Sequence, residues 1–126
     1  MWTVLLVGAG GFAGSVARFL LGGWVQGRWS GTFPAGTLAV NVLGCLAIGG
    51  LSELAEARAF LSPEARALVV VGFLGGFTTF SAFGNETFNM LRDGAWGVAA
   101  ANVALNVVPS LTAVWAGRSG AHLIWR

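Results

Sequence analysis

The chain has 126 residues, of which 56% are hydrophobic and only 10% are charged, with a mean hydropathy of +0.75. A soluble domain of this size carries roughly a quarter charged residues, so a lipid bilayer is the better solvent for this sequence. The formal net charge is +2 and the seven basic residues are all arginines, scattered along the chain, so no basic patch supports nucleic-acid binding.

The apolar runs predict a single transmembrane domain over residues 1–126. At about 20 residues for each crossing, the predicted spans cover about 2–24, 35–54, 65–91 and 96–115. The first run lacks the basic segment that begins a signal peptide, so we expect it to remain a membrane helix. The expected fold class is therefore an all-α membrane protein with four transmembrane helices.

Small residues and one arginine distinguish the first predicted helix. Gly10 and Gly14 are four residues apart, which is the spacing of small residues where membrane helices pack closely. Arg18 lies in the last third of the span. An arginine there either reaches the membrane interface or draws anions toward the mouth of a pathway.

The second predicted helix begins after Pro34, because proline is favoured where a helix starts. Thr37 and Asn41 are four residues apart and so share one face. An asparagine amide inside hydrocarbon must find hydrogen-bonding partners. Asn41 is therefore predicted either to join two helices or to line an aqueous or ionic path.

The third predicted helix contains the least regular stretch of the chain. Glycines and threonines within 75–79 predict that the helix is broken near its middle, because glycine relaxes the backbone and threonine hydroxyls satisfy freed backbone groups. Beyond the break, Phe80 and Phe83 share one face. Thr79, Phe83 and Glu86 follow each other at intervals of four and three residues, so they lie along one side of the same helix. Glu86 is predicted either to lie at the interface or to guard the mouth of a pathway.

The fourth predicted helix has a tryptophan at each end, Trp96 and Trp115, as the aromatic belts of membrane proteins do. Asn102, Asn106 and Ser110 recur every four residues on a helix that otherwise consists mainly of Ala, Val and Leu. Such a polar stripe should face protein or water rather than lipid.

The arginines divide almost evenly between the two membrane faces. With four crossings the division is Arg58, Arg66, Arg118 and Arg126 on one face, and Arg18, Arg28 and Arg92 on the other. The positive-inside rule therefore sets no clear orientation. Such a chain could insert both ways and pair head to tail, which would bring two broken third helices together at the midplane. Carbonyls freed there could coordinate a cation.

Three segments resemble the Fluc (CrcB) family of fluoride channels, in order and over essentially the whole chain. They are Gly14–Phe19, Gly36–Gly44 and Gly75–Phe83, and the Gly-Phe-Thr-Thr-Phe-Ser-Ala-Phe sequence in the third is the most specific. The resemblance implies an antiparallel, dual-topology homodimer in the bacterial inner membrane, with two fluoride pores and a central structural sodium ion. It implies passive export of fluoride, which relieves fluoride toxicity.

The resemblance also implies roles for individual residues. The predicted fluoride-pore residues are Phe80, Phe83, Asn41, Ser110, Thr112, Thr79 and Ser81, and the predicted entrance residues are Arg18, Glu86 and Thr37. The backbone carbonyls of Gly75 and Thr78 match the sodium ligands of the family. Ala82 stands where family members usually have a hydroxyl residue. The pore phenylalanines agree with elementary physics, because the edge of an aromatic ring carries positive potential and can hold an anion.

Other classes of protein fit the residues less well. A proton-coupled exporter of the small multidrug resistance type needs a carboxylate inside an early span, and the first span has no acidic residue. A non-conducting packing subunit would explain the glycines but neither the asparagine stripe nor the break. No nucleophile–base set or metal-ligand spacing predicts an enzyme, and the single cysteine, Cys45, lies in an apolar stretch.

Overall fold

The computed structural model of the chain describes residues 1–58 and 61–125, with the backbone alone at 57 and 58. Arg58 and Arg126 were both assigned to one membrane face from the sequence. The side chain of Arg58 and the whole of Arg126 lie outside the described residues. All regular structure in the described part of the chain is helical, and four helices are long and apolar enough to cross a membrane. The prediction of an all-helical protein with four such helices is confirmed.

The helices follow the predicted order along the chain. Helix α1 spans Trp2–Arg28, and α2 spans Ala35–Arg58. The third candidate crossing, Pro63–Arg92, consists of α3 (Pro63–Ala65), a π-helical segment (Arg66–Leu74), α4 (Gly75–Phe77) and α5 (Phe80–Arg92). Helix α6 spans Trp96–Ile124 and contains Pro109 in its interior.

Local sequence explains where the third crossing begins and ends. Ser62 Oγ accepts a hydrogen bond of 3.2 Å from the N–H of Ala65, and Pro63 follows at the first helical turn, where its missing N–H needs no partner. At the other end, Gly94 has a φ of 78°, a left-handed conformation that glycine adopts without strain. The chain thereby turns from α5 into α6.

Small residues allow the helices to pack backbone against backbone. A side chain at Gly10 or Gly14 of α1 would collide with carbonyl groups of the π-helical segment. Gly49 of α2 and Gly117 of α6 hold a similar position at the crossing of those two helices. Close approach through small residues is the usual way in which membrane helices gain packing contacts.

The C-terminal ends of α2 and α6 are joined by exposed charged groups. Helix α6 continues past residue 115 to Ile124, so it carries Arg118 and His122 alongside α2. Arg118 Nη2 contacts Glu56 and lies 3.5 Å from Glu53 Oε2, while His122 Nδ1 lies 3.1 Å from Glu53 Oε1. These contacts connect the part of α6 beyond the apolar run to α2.

Candidate functional site

Two extended residues interrupt the third crossing. Thr78 has φ −85° and ψ 156°, and Thr79 has φ −149° and ψ 111°, between the end of α4 and the start of α5. Both threonine hydroxyls bond to nearby backbone. Thr78 Oγ1 donates to Leu74 O at 3.0 Å, and Thr79 Oγ1 accepts from the N–H of Ala82 at 3.2 Å. Thr79 therefore acts as the N-cap of α5.

Asn41 of α2 holds the backbone of Thr79 by a reciprocal pair of hydrogen bonds. Thr79 N–H donates to Asn41 Oδ1 at 2.8 Å, and Asn41 Nδ2 donates to Thr79 O at 3.1 Å. In a continuous helix the same N–H would bind the carbonyl of Gly75, four residues back. The Gly75 carbonyl consequently loses its helical donor. A side chain at Gly75 would meet no atom within 4 Å, so this part of the backbone is open.

The carbonyl of Thr78 faces a cationic side chain within the same chain. Arg18 Nη1 of α1 lies 3.4 Å from Thr78 O, in a long hydrogen bond. A carbonyl oxygen has two lone pairs, so one acceptor site on Thr78 O stays available. The two carbonyls predicted to bind sodium are hard oxygen ligands of the kind that such cations prefer, and the residues present fit the ion.

A chain of amide side chains continues from Asn41 into α6 and α5. Asn41 Nδ2 also donates to Asn106 Oδ1 at 3.2 Å, and Asn106 Nδ2 donates to Asn102 Oδ1 at 3.0 Å. Asn102 Nδ2 then donates to Thr87 Oγ1 at 2.9 Å, and Thr87 Oγ1 donates to Phe83 O at 2.8 Å. Asn102 and Asn106 are 0% and 6% exposed, so the predicted polar stripe faces protein.

A cavity of about 460 Å³ lies beside the break and is called the inner cavity. Seven residues predicted as pore or sodium residues line it, together with Asn106: Asn41, Gly75, Thr78, Thr79, Phe80, Phe83 and Ser110. The rings of Phe80 and Phe83 meet edge to face with their centroids 5.4 Å apart. Phe83 is 8% exposed, whereas Phe80 is 82% exposed on the outer surface of the chain.

Ser110 has the one hydroxyl on the inner cavity that is buried and has no hydrogen-bond partner among the described residues. The Asn41 amide donates one N–H to Thr79 O and the other to Asn106 Oδ1. Asn106 likewise donates both N–H groups to Asn102, to its backbone O and to its Oδ1. An amide nitrogen has only two hydrogens, so neither asparagine has a donor left. The Ser110 hydroxyl is available to a ligand.

A second cavity of about 910 Å³, called the outer cavity, contains the predicted entrance residues. Its lining includes Arg18, Thr37, Glu86, Ser81 and Thr79, and the last of these lines the inner cavity as well. Thr37 Oγ1 donates to Glu86 Oε1 at 2.6 Å, which holds α5 to α2. Glu86 Oε2 is buried and has no hydrogen-bond partner in the described part of the chain.

The first residues of α5 form part of the wall of the outer cavity. Ser81 Oγ lies 3.2 Å from Thr79 Oγ1, so the two hydroxyls form a hydrogen-bonded pair at the boundary between the cavities. Ala82 lines the outer cavity, where its methyl group offers no donor. The polar side chains on this side include Thr79, Ser81, Asn85 and the oppositely charged Arg18 and Glu86.

Thr112 does not join the other predicted pore residues within the chain. Its side chain is exposed, it lines neither cavity, and Thr112 Oγ1 donates to the carbonyl of Val108 at 2.9 Å. Two residues along an α-helix correspond to about 200° of rotation, so Thr112 points away from the side that Ser110 faces. Of the two predicted pore residues on the fourth helix, Ser110 therefore lies on the inner cavity and Thr112 does not.

Asn102, Asn106 and Thr87 belong to the site although they are absent from the predicted pore residues. The spacing of the asparagines identified a buried stripe, but helical periodicity could not show which acceptors their amides would find. Thr87 had a weaker signal, its position four residues after Phe83 and one helical turn further along α5.

The fold and the site are those of a small multi-pass membrane protein with a hydrogen-bonded polar site between its helices. A family model described as "CrcB-like protein, Camphor Resistance (CrcB)" matches residues 5–118. A relative from Chlorobaculum tepidum is 52% identical over 124 residues, which cover 98% of this chain and 97% of the relative. A relative from Methylobacillus flagellatus is 49% identical over 119 residues, covering 93% and 92%. Both are named "Fluoride-specific ion channel FluC".

The chain therefore belongs to the CrcB (FluC) family, as its sequence segments predict. The family consists of ion channels and not of enzymes, in agreement with the lack of catalytic residue patterns in the sequence.

Proposed function

We propose that this protein is a fluoride-selective channel that lets fluoride leave the bacterial cell passively across the inner membrane and so relieves fluoride toxicity. The names of its relatives support the choice of ion. The observation that carries the proposal is the buried hydroxyl of Ser110, which has no partner among the described residues and lines the same inner cavity as the paired rings of Phe80 and Phe83.

Ring edges and a hydroxyl suit an anion that must both enter and leave. Fluoride is a strong hydrogen-bond acceptor, and the Ser110 O–H replaces part of its hydration. The edges of Phe80 and Phe83 add positive potential without a fixed charge. Conduction requires binding that is favourable enough for entry and weak enough for release. A guanidinium inside the inner cavity would oppose release, and Arg18 lines the outer cavity instead.

The outer cavity would then be the entrance to the pathway. The Arg18 guanidinium raises the local concentration of anions through its positive potential. Glu86 partly offsets that charge, and its hydrogen bond from Thr37 holds the carboxylate at the wall. Thr79 lies on both cavities, so an anion would pass from one to the other beside the break.

We propose further that two chains form an antiparallel homodimer with one pore for each chain. Phe80 is 82% exposed although it lines the inner cavity, and a second chain packed on this surface would enclose its ring. The almost even division of arginines supports insertion in both orientations. In detergent we expect a complex with twice the chain mass of 13.0 kDa. A monomer that still conducts would exclude this assembly.

The same pairing supports a structural sodium ion at the dimer axis. The carbonyls of Gly75 and Thr78 would hold it, because the bond from Thr79 N–H to Asn41 leaves Gly75 O without its helical donor. When bound, sodium supplies a positive charge that neutralises carbonyl dipoles from the two breaks. Asn41 and the hydroxyl of Thr78 keep this backbone extended in each chain.

A flux assay tests the proposed function directly. Purified protein in liposomes should release fluoride, retain chloride and need no proton gradient. Chloride efflux at a comparable rate, or no fluoride efflux, would exclude a fluoride-selective channel. Fluoride or cation movement that requires a proton gradient would instead favour the exporter of the small multidrug resistance type, with Glu86 as its carboxylate.

A further inference from the structure

Phe80 and Phe83 lie between two points at which the same chain of side-chain amides holds the backbone. One point is Thr79, whose N–H and carbonyl both bind Asn41. The other is Thr87, which bonds to the carbonyl of Phe83 and accepts from Asn102. The segment from Thr79 to Thr87 is therefore attached to α2 at its start and to α6 at its end.

The direction of every hydrogen bond in this chain follows from its two ends. Thr79 N–H can only donate, so Asn41 must present its oxygen to it and its nitrogen to Asn106. The Phe83 carbonyl can only accept, so Thr87 must donate to it and accept from Asn102. No amide can flip without breaking two bonds, and this fixes the orientation of the amide groups on physical grounds.

Asn102 and Thr87 line neither the inner nor the outer cavity. A helical threonine often bonds to the carbonyl four residues back, so the bond from Thr87 to Phe83 is ordinary on its own. The bond from Asn102 connects that turn of α5 to α6. Asn102 is 0% exposed, so in a dry environment its hydrogen bonds are not replaced readily by water.

We propose that Asn102 and Thr87 are positioning residues that fix Phe83 and the break relative to Ser110, and so set fluoride flux and selectivity without touching the ion. This inference rests on the proposed fluoride channel. Ser110 lies on α6, one turn beyond Asn106, whereas Phe83 lies on α5. Among the described residues, the bond from Asn102 to Thr87 is the side-chain hydrogen bond that joins α5 directly to α6, so it helps to set the distance between the hydroxyl and the ring edge.

Isosteric variants of Thr87 test the proposal. Thr87→Val keeps the shape of the side chain and removes both hydrogen bonds, and Thr87→Ser keeps the hydroxyl. Leaving a buried hydrogen-bonding group without its partner typically changes an equilibrium or a rate by about tenfold. In the liposome assay Thr87→Val should lower fluoride flux for each assembled channel by about tenfold and narrow the ratio of fluoride to chloride flux. Thr87→Ser should remain within about twofold of the natural protein, so a loss equal to that of Thr87→Val would overturn the proposal.

Asn102→Ala provides the second arm, and Asn89→Ala is its matched control. Asn89 is an asparagine on α5, in the same helix as Thr87, but its side chain makes no hydrogen bond among the described residues and lines neither cavity. Asn102→Ala should reproduce the loss seen in Thr87→Val, while Asn89→Ala should conduct normally. The double variant Asn102→Ala/Thr87→Val should lose no more than either single variant, because both remove the same connection. Additive losses would overturn the proposal.

Hydrogen exchange separates the positioning role from the proposed function. Amides of the peptide covering 78–84 should exchange faster in Thr87→Val and Asn102→Ala than in the natural protein, and this readout needs no conduction. If the natural protein does not carry fluoride but exchange still increases, the channel assignment fails and the connection stands. If the natural protein conducts fluoride, and the assembled Thr87→Val and Asn102→Ala variants match it in both flux and exchange, the positioning role is wrong. Should Asn102→Ala not assemble, Thr87→Val carries the test.

Discussion

The inner and outer cavities share Thr79 but differ in what lines them. The outer cavity contains a cation and a carboxylate, Arg18 and Glu86, and the larger volume of about 910 Å³. The inner cavity has about 460 Å³, no charged side chain among its lining residues, and amides whose donors already bind protein. The outer cavity is thus suited to attract ions by charge, and the inner cavity to select them by geometry. The ratio of fluoride to chloride flux should therefore change when the shape of the inner cavity is altered. The rate of ion entry should change with the salt concentration.

The largest effect is expected from the rings on the inner cavity. Phe83→Ile replaces a ring edge by branched apolar groups without positive potential. Fluoride flux should fall by roughly 100-fold, which corresponds to about 2.7 kcal/mol in the barrier. Phe80→Ile should also lower the fluoride flux. Flux from liposomes and the mass of the complex are measured together. Normal conduction in both variants would show that the rings do not form the pore.

Removal of the free hydroxyl should have the next largest effect. A hydrogen bond to a charged partner is worth about 1.5–3 kcal/mol, so Ser110→Ala should lower flux by about tenfold or more. Ser110→Thr retains the hydroxyl and should restore most of the flux. The rates of both variants, measured at several fluoride concentrations, check this. An alanine variant as fast as the natural protein would mean that another donor serves the anion.

Removal of sodium tests the role of the break between the two cavities. If the Gly75 and Thr78 carbonyls hold a sodium ion, thorough replacement of sodium by a large organic cation should reduce flux several-fold and lower the thermal stability of the complex. Ligands that bind only the folded state stabilise it, and this gives the direction of the second effect. Flux and melting temperature that are both independent of sodium would exclude the site.

The smallest effect is expected at the outer cavity. Arg18→Gln should lower flux by about threefold at low ionic strength, and the difference should shrink in 1 M salt, where the screening length is about 3 Å. Arg92→Gln is the matched control, because Arg92 is exposed and lines neither cavity. Flux is measured across a salt series. If Arg18→Gln changes selectivity at every salt concentration, the division between the cavities is wrong.

The prediction of secondary structure depended on local signals. Apolar length located the crossings, and glycines with threonines predicted an interruption around 75–79, where the structure has Thr78 and Thr79 extended. The π-helical geometry of Arg66–Leu74 had no such signal. Neither did the length of α6 beyond residue 115, where Arg118 and His122 contact glutamates of α2.

The sequence by itself determined a helical membrane protein, its family, and a set of polar and aromatic residues as candidates for the site. Only the tertiary structure decided which of those residues have a donor to offer. Asn41 and Asn106 donate both of their side-chain N–H groups to protein acceptors. The Ser110 hydroxyl has no partner among the described residues, and Thr112 donates to the carbonyl of Val108. The physical reason is that hydropathy and helical period are local properties of the chain. The partner of a buried polar group depends on how helices distant in sequence are rotated against each other.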